Sequence, residues 1–460
     1  MSLHRCVPYF LAAMPLMVPA AETKVHEFRL DNGLKVLVQE DHRAPVAVTQ
    51  VWYKVGSSYE YGGITGVSHM LEHMMFKGTK KHPPGEFSRI IAANGGSENA
   101  FTGQDYTAYF QTLEQSRLKV SFELEADRMR NLQLLQNEFA KEQQVVIEER
   151  RLRTDDQPRA KTEEHFHAMA FTNSPYENPV IGWPADVTGL KLPDLSEWYR
   201  RWYAPNNATL VVVGDVNPPE VFDLAKRHFG PLKPSQPPSI KPQTEVEQLG
   251  QRRMVAKIPA KLPYLVMGYK APVLMTAKDP WEAYALEVAA GILDGGNSAR
   301  FSSRLVRGQQ VAASASAGYD LYARMADLFT LEGTPAQGRS VEELEKALTS
   351  EVARLRDELV APDELERVKA QVMASKIYQR DSIFYQAMQL GLTETVGLGW
   401  KVVDDYVDKI NQVTPEQIQQ VARKYLIDDR LSVAHMDPLP IPEGAEQPED
   451  GSMKGGHNVR

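Results

Sequence analysis

Two stretches of this chain lie on one another without a gap. Pro193 to Asp215 reads PDLSEWYRRWYAPNNATLVVVGD, and Pro415 to Asp437 reads PEQIQQVARKYLIDDRLSVAHMD. Pro193, Arg201, Tyr203 and Asp215 fall on Pro415, Arg423, Tyr425 and Asp437, and Asn206-Asn207 fall on Asp428-Asp429. Each copy reads as a helix opened by proline, a polar turn and a closing strand, since proline suits a first helical turn and short polar residues suit turns. Residue 193 falls on residue 415, an offset of 222 in a chain of 460. A repeat of about half the chain points to two similar domains.

The rest of the chain supports that division. HEFRLDNGLKVLVQED and AVTQVWYKVGSSYE alternate as strands do, and Asp31-Asn32-Gly33 has hairpin-turn chemistry. Helical patterns follow at His69, over residues 116–131 and over residues 137–154. The expected fold class is α+β: two similar domains, each a mainly antiparallel sheet with helices packed on one face. Residues 231–243, PLKPSQPPSIKPQ, can sustain neither a helix nor a central strand. They separate an N-terminal domain, residues 21–230, from a C-terminal one, residues 244–438. Residues 439–460, rich in Pro, Gly and acid, are expected to form a disordered tail.

The opening MSLHRCVPYFLAAMPLMVPAAET carries one arginine, an apolar stretch from Cys6 to Val18, and the small-residue site Val18-Pro19-Ala20. That layout reads as a secretory signal peptide over residues 1–20, with the mature chain expected in the periplasm. The apolar stretch is too short to span a bilayer, so no stable membrane anchor is expected. Cys6 is the only cysteine, which leaves the mature chain without a disulfide. With 52 Lys+Arg against 60 Asp+Glu, nothing in the charge favours a nucleic-acid partner.

GVSHMLEHMMFKGT is an apolar run interrupted by two imidazoles and a carboxylate, which are costly to bury uncompensated. His69 and His73 are i and i+4, about 5–6 Å apart at Cβ on one helix face, as two metal ligands would be. Glu72 borders that face and can reach a water held there without being a ligand. H-x-x-E-H is an inverted zinc-protease signature, and a catalytic zinc takes three protein ligands and keeps one position open. NEFAKEQQVVIEERRLRT offers the third: Glu142 and Glu149 lie two turns apart on one face, with Val145 and Val146 between. Spacing does not choose between them. Glu148 and Arg150 read as part of a solvated charged surface.

Together these segments resemble the pitrilysin/insulinase family of zinc peptidases, which includes mitochondrial processing peptidase. Val145-Val146-Ile147-Glu148-Glu149 matches the family's V-V-x-x-E segment. The resemblance makes Glu149 the third ligand of one zinc ion per chain, Glu142 its supporting carboxylate and Glu72 the general base. Asn99-Ala100-Phe101-Thr102 matches an N-A-F/Y-T segment that leads into a substrate-pairing edge strand. It implies Asn99, Ala100 and Phe101 as substrate-binding residues, on an edge expected along residues 99–113. The stretches from Ser174 to Gly182 and from Leu210 to Asp215 also read as family segments, so the resemblance runs from Val25 to Pro438.

The second half departs from the pattern. Near the offset equivalents of His69 to His73 stands Ala290 to Gly295, AGILDG, which holds no ligand set. That domain is expected to be an inactive homologue. Family members carry an arginine and a tyrosine there, in a segment like L-R-E-K-x-G-L-A-Y-S, where this chain has LVRGQQVAAS. In gapless register the pair falls on Val306 and Ala313; a shift of one recovers Arg307 but places Ser314 at the tyrosine. Arg307 is kept as a candidate substrate-binding residue, and a homologous partner subunit is expected to supply the arginine–tyrosine pair, with a homodimer as the simpler assembly. The implied function is a zinc endopeptidase acting on extended peptides or unfolded segments, as the metal-bearing subunit of a heteromer. The rival is a non-catalytic structural or chaperone-like subunit; eroded ligands mark such relatives, and the four positions are intact here.

Overall fold

Asp31-Asn32-Gly33 makes the first reversal among the described residues. Gly33 takes a left-handed φ of 94°, open to glycine at little cost, and the Asn32 side chain accepts from Leu34 N at 3.3 Å. The turn joins β1 (Val25–Arg29) to an antiparallel β2 (Lys35–Glu40). The structure, a computed structural model, describes residues 24–241 and 243–441. The signal stretch at residues 1–20 and the tail beyond residue 441 lie outside the described residues.

After β3 (Val46–Tyr53), the helices α1 (Val67–Met74) and α2 (Glu86–Ala93) lead to β4 (Ser97–Thr102) and β5 (Thr107–Glu114). Next come α3 (Leu118–Asn131), α4 (Gln136–Arg150), α5 (Pro158–Ala170) and α6 (Pro184–Gly189). The half closes with α7 (Leu192–Trp202), β6 (Ala208–Gly214) and α8 (Pro218–His228). Its sheet has the order β1-β2-β6-β3-β5-β4, antiparallel except where β6 runs parallel to β2. Because β5 is paired on both sides, by β3 and β4, the edge expected along residues 99–113 is confined to β4.

The described residues between α8 and β7 (Arg252–Pro259) form neither helix nor strand. The second half continues with β8 (Tyr264–Ala271), α9 (Pro280–Asp294), β9 (Ala312–Gly318) and β10 (Asp327–Pro335). The helices α10 (Val341–Asp357), α11 (Pro362–Gln379), α12 (Ile383–Val396), α13 (Val402–Asn411) and α14 (Pro415–Tyr425) precede β11 (Leu431–Leu439). The sheet order is β7-β11-β8-β10-β9, which is the first sheet's order without β1. The repeated helix–strand units are α7–β6 and α14–β11, and each closing strand enters its sheet the same way. β6 lies parallel to β2 and antiparallel to β3; β11 lies parallel to β7 and antiparallel to β8. β11 reaches Leu439, opposite Pro259, one residue into the stretch expected as tail.

Each sheet buries one face under its own helices. The other face takes a helix from the opposite half. Ala387 and Leu390 of α12 pack with Leu37, Val48, Trp52 and Val211 of the first sheet, and a Cβ on Gly391 would stand 2.1 Å from the Trp52 indole nitrogen. Phe166 and Ala170 of α5 pack with Tyr264, Val266 and Ala434 of the second sheet, where a Cβ on Gly268 would stand 2.9 Å from Phe166. At both crossings glycine sets how closely helix and sheet approach.

A candidate metal centre between two helices

The helix α1 starts at Gly66, whose left-handed φ of 85° and approach to the Ile181 carbonyl leave no room for a Cβ. Its first turn is capped by Glu60, which accepts from Gly66 N at 2.7 Å and Ser68 N at 2.8 Å. A carboxylate suits the positive end of a helix dipole. Val67, Met70, Leu71 and Met74 point into the core, which turns His69, Glu72 and His73 toward α4. The His69 and His73 rings have centroids 4.9 Å apart.

Glu149, in the last turn of α4, meets that face. Its Oε2 lies 3.2 Å from His73 Nε2 and 3.8 Å from His69 Nε2. His69, His73 and Glu149 each offer one ligand atom, all within 4.8 Å of one another, and no other such group of three occurs among the described residues. Donors about 2.0–2.2 Å from a tetrahedral zinc stand about 3.3–3.6 Å apart, so the set fits a small tetrahedral cation. The two glutamates that spacing left open sit differently. Glu142 Oε2 lies 3.3 Å from the far ring nitrogen of His73, Nδ1, and Glu142 Oε1 lies 2.6 Å from Lys77 Nζ. It backs the imidazole, as carboxylates behind ligating histidines do. His69 Nδ1 is buried without a protein partner.

The electrostatics keep His69 neutral and Glu149 charged, with a proton on His73 between two carboxylates. Burial and the His73 charge push His69 down to about 3. Burial also opposes a proton on His73, but Glu142 and Glu149 outweigh it and hold the ring up at about 9. Burial disfavours the Glu149 charge too, yet His73, His69 and Arg153 draw it down to about 2. Glu72 goes the other way: burial lifts it to about 7 against the Thr102 hydroxyl, which donates to its Oε2. That hydroxyl sits at the end of β4.

The remaining sequence candidates fall into two groups. Asn99, Ala100 and Phe101 lie on β4 at the sheet edge. The Asn99 side chain accepts from Ala100 N at 2.8 Å, and its buried Nδ2 has no protein partner. Phe101 packs inward against Trp52 and Tyr106. Arg307 is not brought to the cluster: its guanidinium donates to the Asn297 carbonyl in the second half, and no ion pair joins it to the metal-site residues among the described residues. Ala313 and Ser314 are exposed on β9. Arg150 corrects an expectation, being buried rather than solvated, with Glu164 at 2.7 Å and the Gly182 carbonyl at 2.8 Å.

Sequence reading missed Thr102 on Glu72, Lys77 on Glu142, and Arg153, whose Nη1 lies 2.8 Å from Glu149 Oε1. Arg153 stands at i+4 from Glu149, a spacing present in the sequence, whereas Lys77 and Glu142 are brought together only by the fold. In the second half, the offset of 222 brings Gly291, Gly295 and Gln371 to the places of His69, His73 and Glu149. A Cβ on Gly295 would lie 3.0 Å from the Gln371 side chain, so helix and partner still meet there, without ligands.

Residues 35–183 match the family described as insulinase, peptidase family M16, and residues 189–372 match the peptidase M16 inactive domain. The zinc protease PqqE of Helicobacter pylori is 33% identical over 414 residues, covering 89% of this chain and 92% of that protein. The crystal structure of a protease from Helicobacter pylori superposes with a TM-score of 0.85 at 31% identity, over 90% of this chain and all of that one, 100%. The periplasmic protease PqqL of Escherichia coli shares the fold, with a TM-score of 0.76 at 18% identity. This match covers 92% of this chain and 49% of PqqL. Matched in both halves, and across nearly its whole length by a relative a third identical, the chain belongs to the insulinase, or M16, family of peptidases.

Proposed function

We propose that this chain is a zinc-dependent endopeptidase acting on extended peptides or unfolded segments, with His69, His73 and Glu149 as metal ligands and Glu72 as general base. The observation that carries the reading is the convergence of three donor atoms, within 4.8 Å of one another, beside a carboxyl that burial holds near neutral. A zinc ion there would polarise a peptide carbonyl and make water acidic enough to lose a proton near neutral pH. Glu72 takes that proton as the water oxygen joins the carbonyl carbon, then delivers it to the amine nitrogen as the C–N bond breaks. Thr102 fixes one Glu72 oxygen and leaves the other for this exchange. Glu142, braced by Lys77, holds the His73 ring in place. β4 offers its open edge to the substrate main chain, with the unpaired Asn99 amide beside it.

The assembly is a heteromer in this reading. Neither Ala313 nor Ser314 can donate a phenolic hydrogen bond to a developing oxyanion, so a homologous subunit supplies the arginine–tyrosine pair. PqqL supports pairing, since this chain spans about half of it. The signal-like N-terminus, and the periplasmic description of PqqL, support export to the periplasm. Elemental analysis and a peptide-cleavage assay test the whole proposal. One zinc per chain is expected, and Glu149→Gln should lose most of it; stoichiometric zinc in that variant refutes the ligand set. Cleavage of a flexible peptide should rise on adding a co-expressed homologue that lacks H-x-x-E-H, and full activity of the lone chain, unchanged by that homologue, refutes the heteromer.

A further inference from the structure

Three arginines follow Glu149 in the segment Arg150-Arg151-Leu152-Arg153, and each is used differently. Arg150 is buried against Glu164 and the Gly182 carbonyl. Arg151 pairs on the surface with Glu148 and Asp156. Arg153 reaches back to Glu149, the only carboxylate within ion-pair distance of it among the described residues. The two oxygens of Glu149 are therefore divided. Oε1 lies 2.8 Å from Arg153 Nη1, while Oε2 faces His73 at 3.2 Å and His69 at 3.8 Å. Residues 151–155 form a π-turn that continues α4, and such turns are rare and recur at functional sites.

We propose that Arg153 is a positioning residue that presents Glu149 to the metal through one oxygen, and thereby sets the affinity of the centre and keeps a position open for substrate. The inference rests on reading His69, His73 and Glu149 as a zinc site. The terminal torsion of a glutamate is broad, so an unbraced Glu149 could turn to chelate with both oxygens or swing away from the histidines. A guanidinium is always charged, and its contact through Nη1 holds the Oε1 oxygen of Glu149 on the side away from His73 and His69. A cation so near a metal ion also repels it. The Arg153 side chain is 52% exposed against 17% for Glu149, so solvent screens that repulsion while the orientation it imposes persists in a partly buried group. Partners that orient metal ligands are typically worth about 10–100-fold in metal affinity or activity.

The test is competition for zinc between a chromophoric chelator and the purified full chain, in wild type, Arg153→Ala, Arg153→Lys and Arg151→Ala. Arg153→Ala should bind zinc about 10–100-fold more weakly. Arg153→Lys should recover part of that loss, and Arg151→Ala should bind as the wild type does. Metal-free Arg153→Ala should unfold at the wild-type temperature, because a half-exposed ion pair contributes little to stability; a merely structural role would lower it. Zinc bound by Arg153→Ala as tightly as by wild type, or more tightly, overturns the inference while leaving the proposed function standing. A wild-type chain that takes up no zinc overturns that function, and this inference with it.

Discussion

In the proposed reaction Glu72 has to do two opposed things, and its surroundings divide the work. It must stay within reach of the candidate metal centre without ligating, and it must both gain and lose a proton near neutral pH. The Thr102 hydroxyl holds one oxygen, and burial lifts the carboxyl to about 7, close to where general acid–base catalysis is most effective. Glu72→Gln keeps the shape and the Thr102 contact but cannot take a proton. It should therefore retain zinc and lose peptide cleavage by about 10²-fold or more; near-normal turnover with full metal would remove Glu72 from the reaction. His69, Glu72 and His73 are legible in the sequence because helical periodicity turns their spacing into one face. Glu149 needed the resemblance to be separated from Glu142, since both stand on one stripe of α4. Arg153 was hidden for a different reason: an i,i+4 charge pair at a candidate metal ligand looks like any solvated pair, such as Glu148 with Arg151, and Lys77 meets Glu142 only through the fold. Arg150 read as solvated because Glu164 and Gly182 reach it only from later segments.

Among the elements, β4 is the one that, in the proposed function, decides what kind of substrate the centre takes. A free strand edge beside the metal site offers main-chain donors and acceptors to an extended chain and asks little of its side chains. In an antiparallel pair, successive residues alternate between bonding across and facing away. Proline, placed one position at a time along a cleaved peptide, should therefore abolish cleavage at alternate positions opposite β4 and be tolerated between them. If proline is accepted at every position, edge pairing is wrong. The strand character of Asn99 to Thr102 was legible, but the edge was read too long. Gly103 N donates to Tyr106 O at 2.8 Å and turns the chain back, so β5 is an interior strand. A pattern of alternation does not show which strands are paired on both sides.

At the scale of the molecule, the duplicated topology was visible in the repeat around Pro193 and Pro415, but the exchange of α5 and α12 was not. Each is a helix whose apolar face finds its sheet in the other half, and no local period records such a distant partner. The exchange brings the halves together at a small charged junction. Arg324 of the second half has its Nε 2.9 Å from Asp105 Oδ1 and donates to Ser58 Oγ at 2.8 Å, while Tyr176 donates to the other Asp105 oxygen. Two further carboxylates, Asp320 and Asp327, stand near Asp105. Burial, then the charges of Asp320 and Asp105, push Asp327 up to about 7, although its Oδ1 accepts from Leu328 N at 2.8 Å. In the unfolded chain an aspartate titrates at about 3.9. The folded value lies above the unfolded one, so Asp327 favours folding fully below about pH 4, and that contribution is lost as pH rises through about 7. Between pH 6 and 8 the loss from this one group is about 1 kcal/mol. Asp327→Asn cannot ionise and can still accept from Leu328 N, so it should escape that loss. Denaturant unfolding of the metal-free proteins, which removes linkage to zinc, should show the stability of Asp327→Asn relative to wild type rising by about 1 kcal/mol from pH 6 to pH 8. A difference between the two proteins that does not change with pH would mean that Asp327 is already ionised in the folded state.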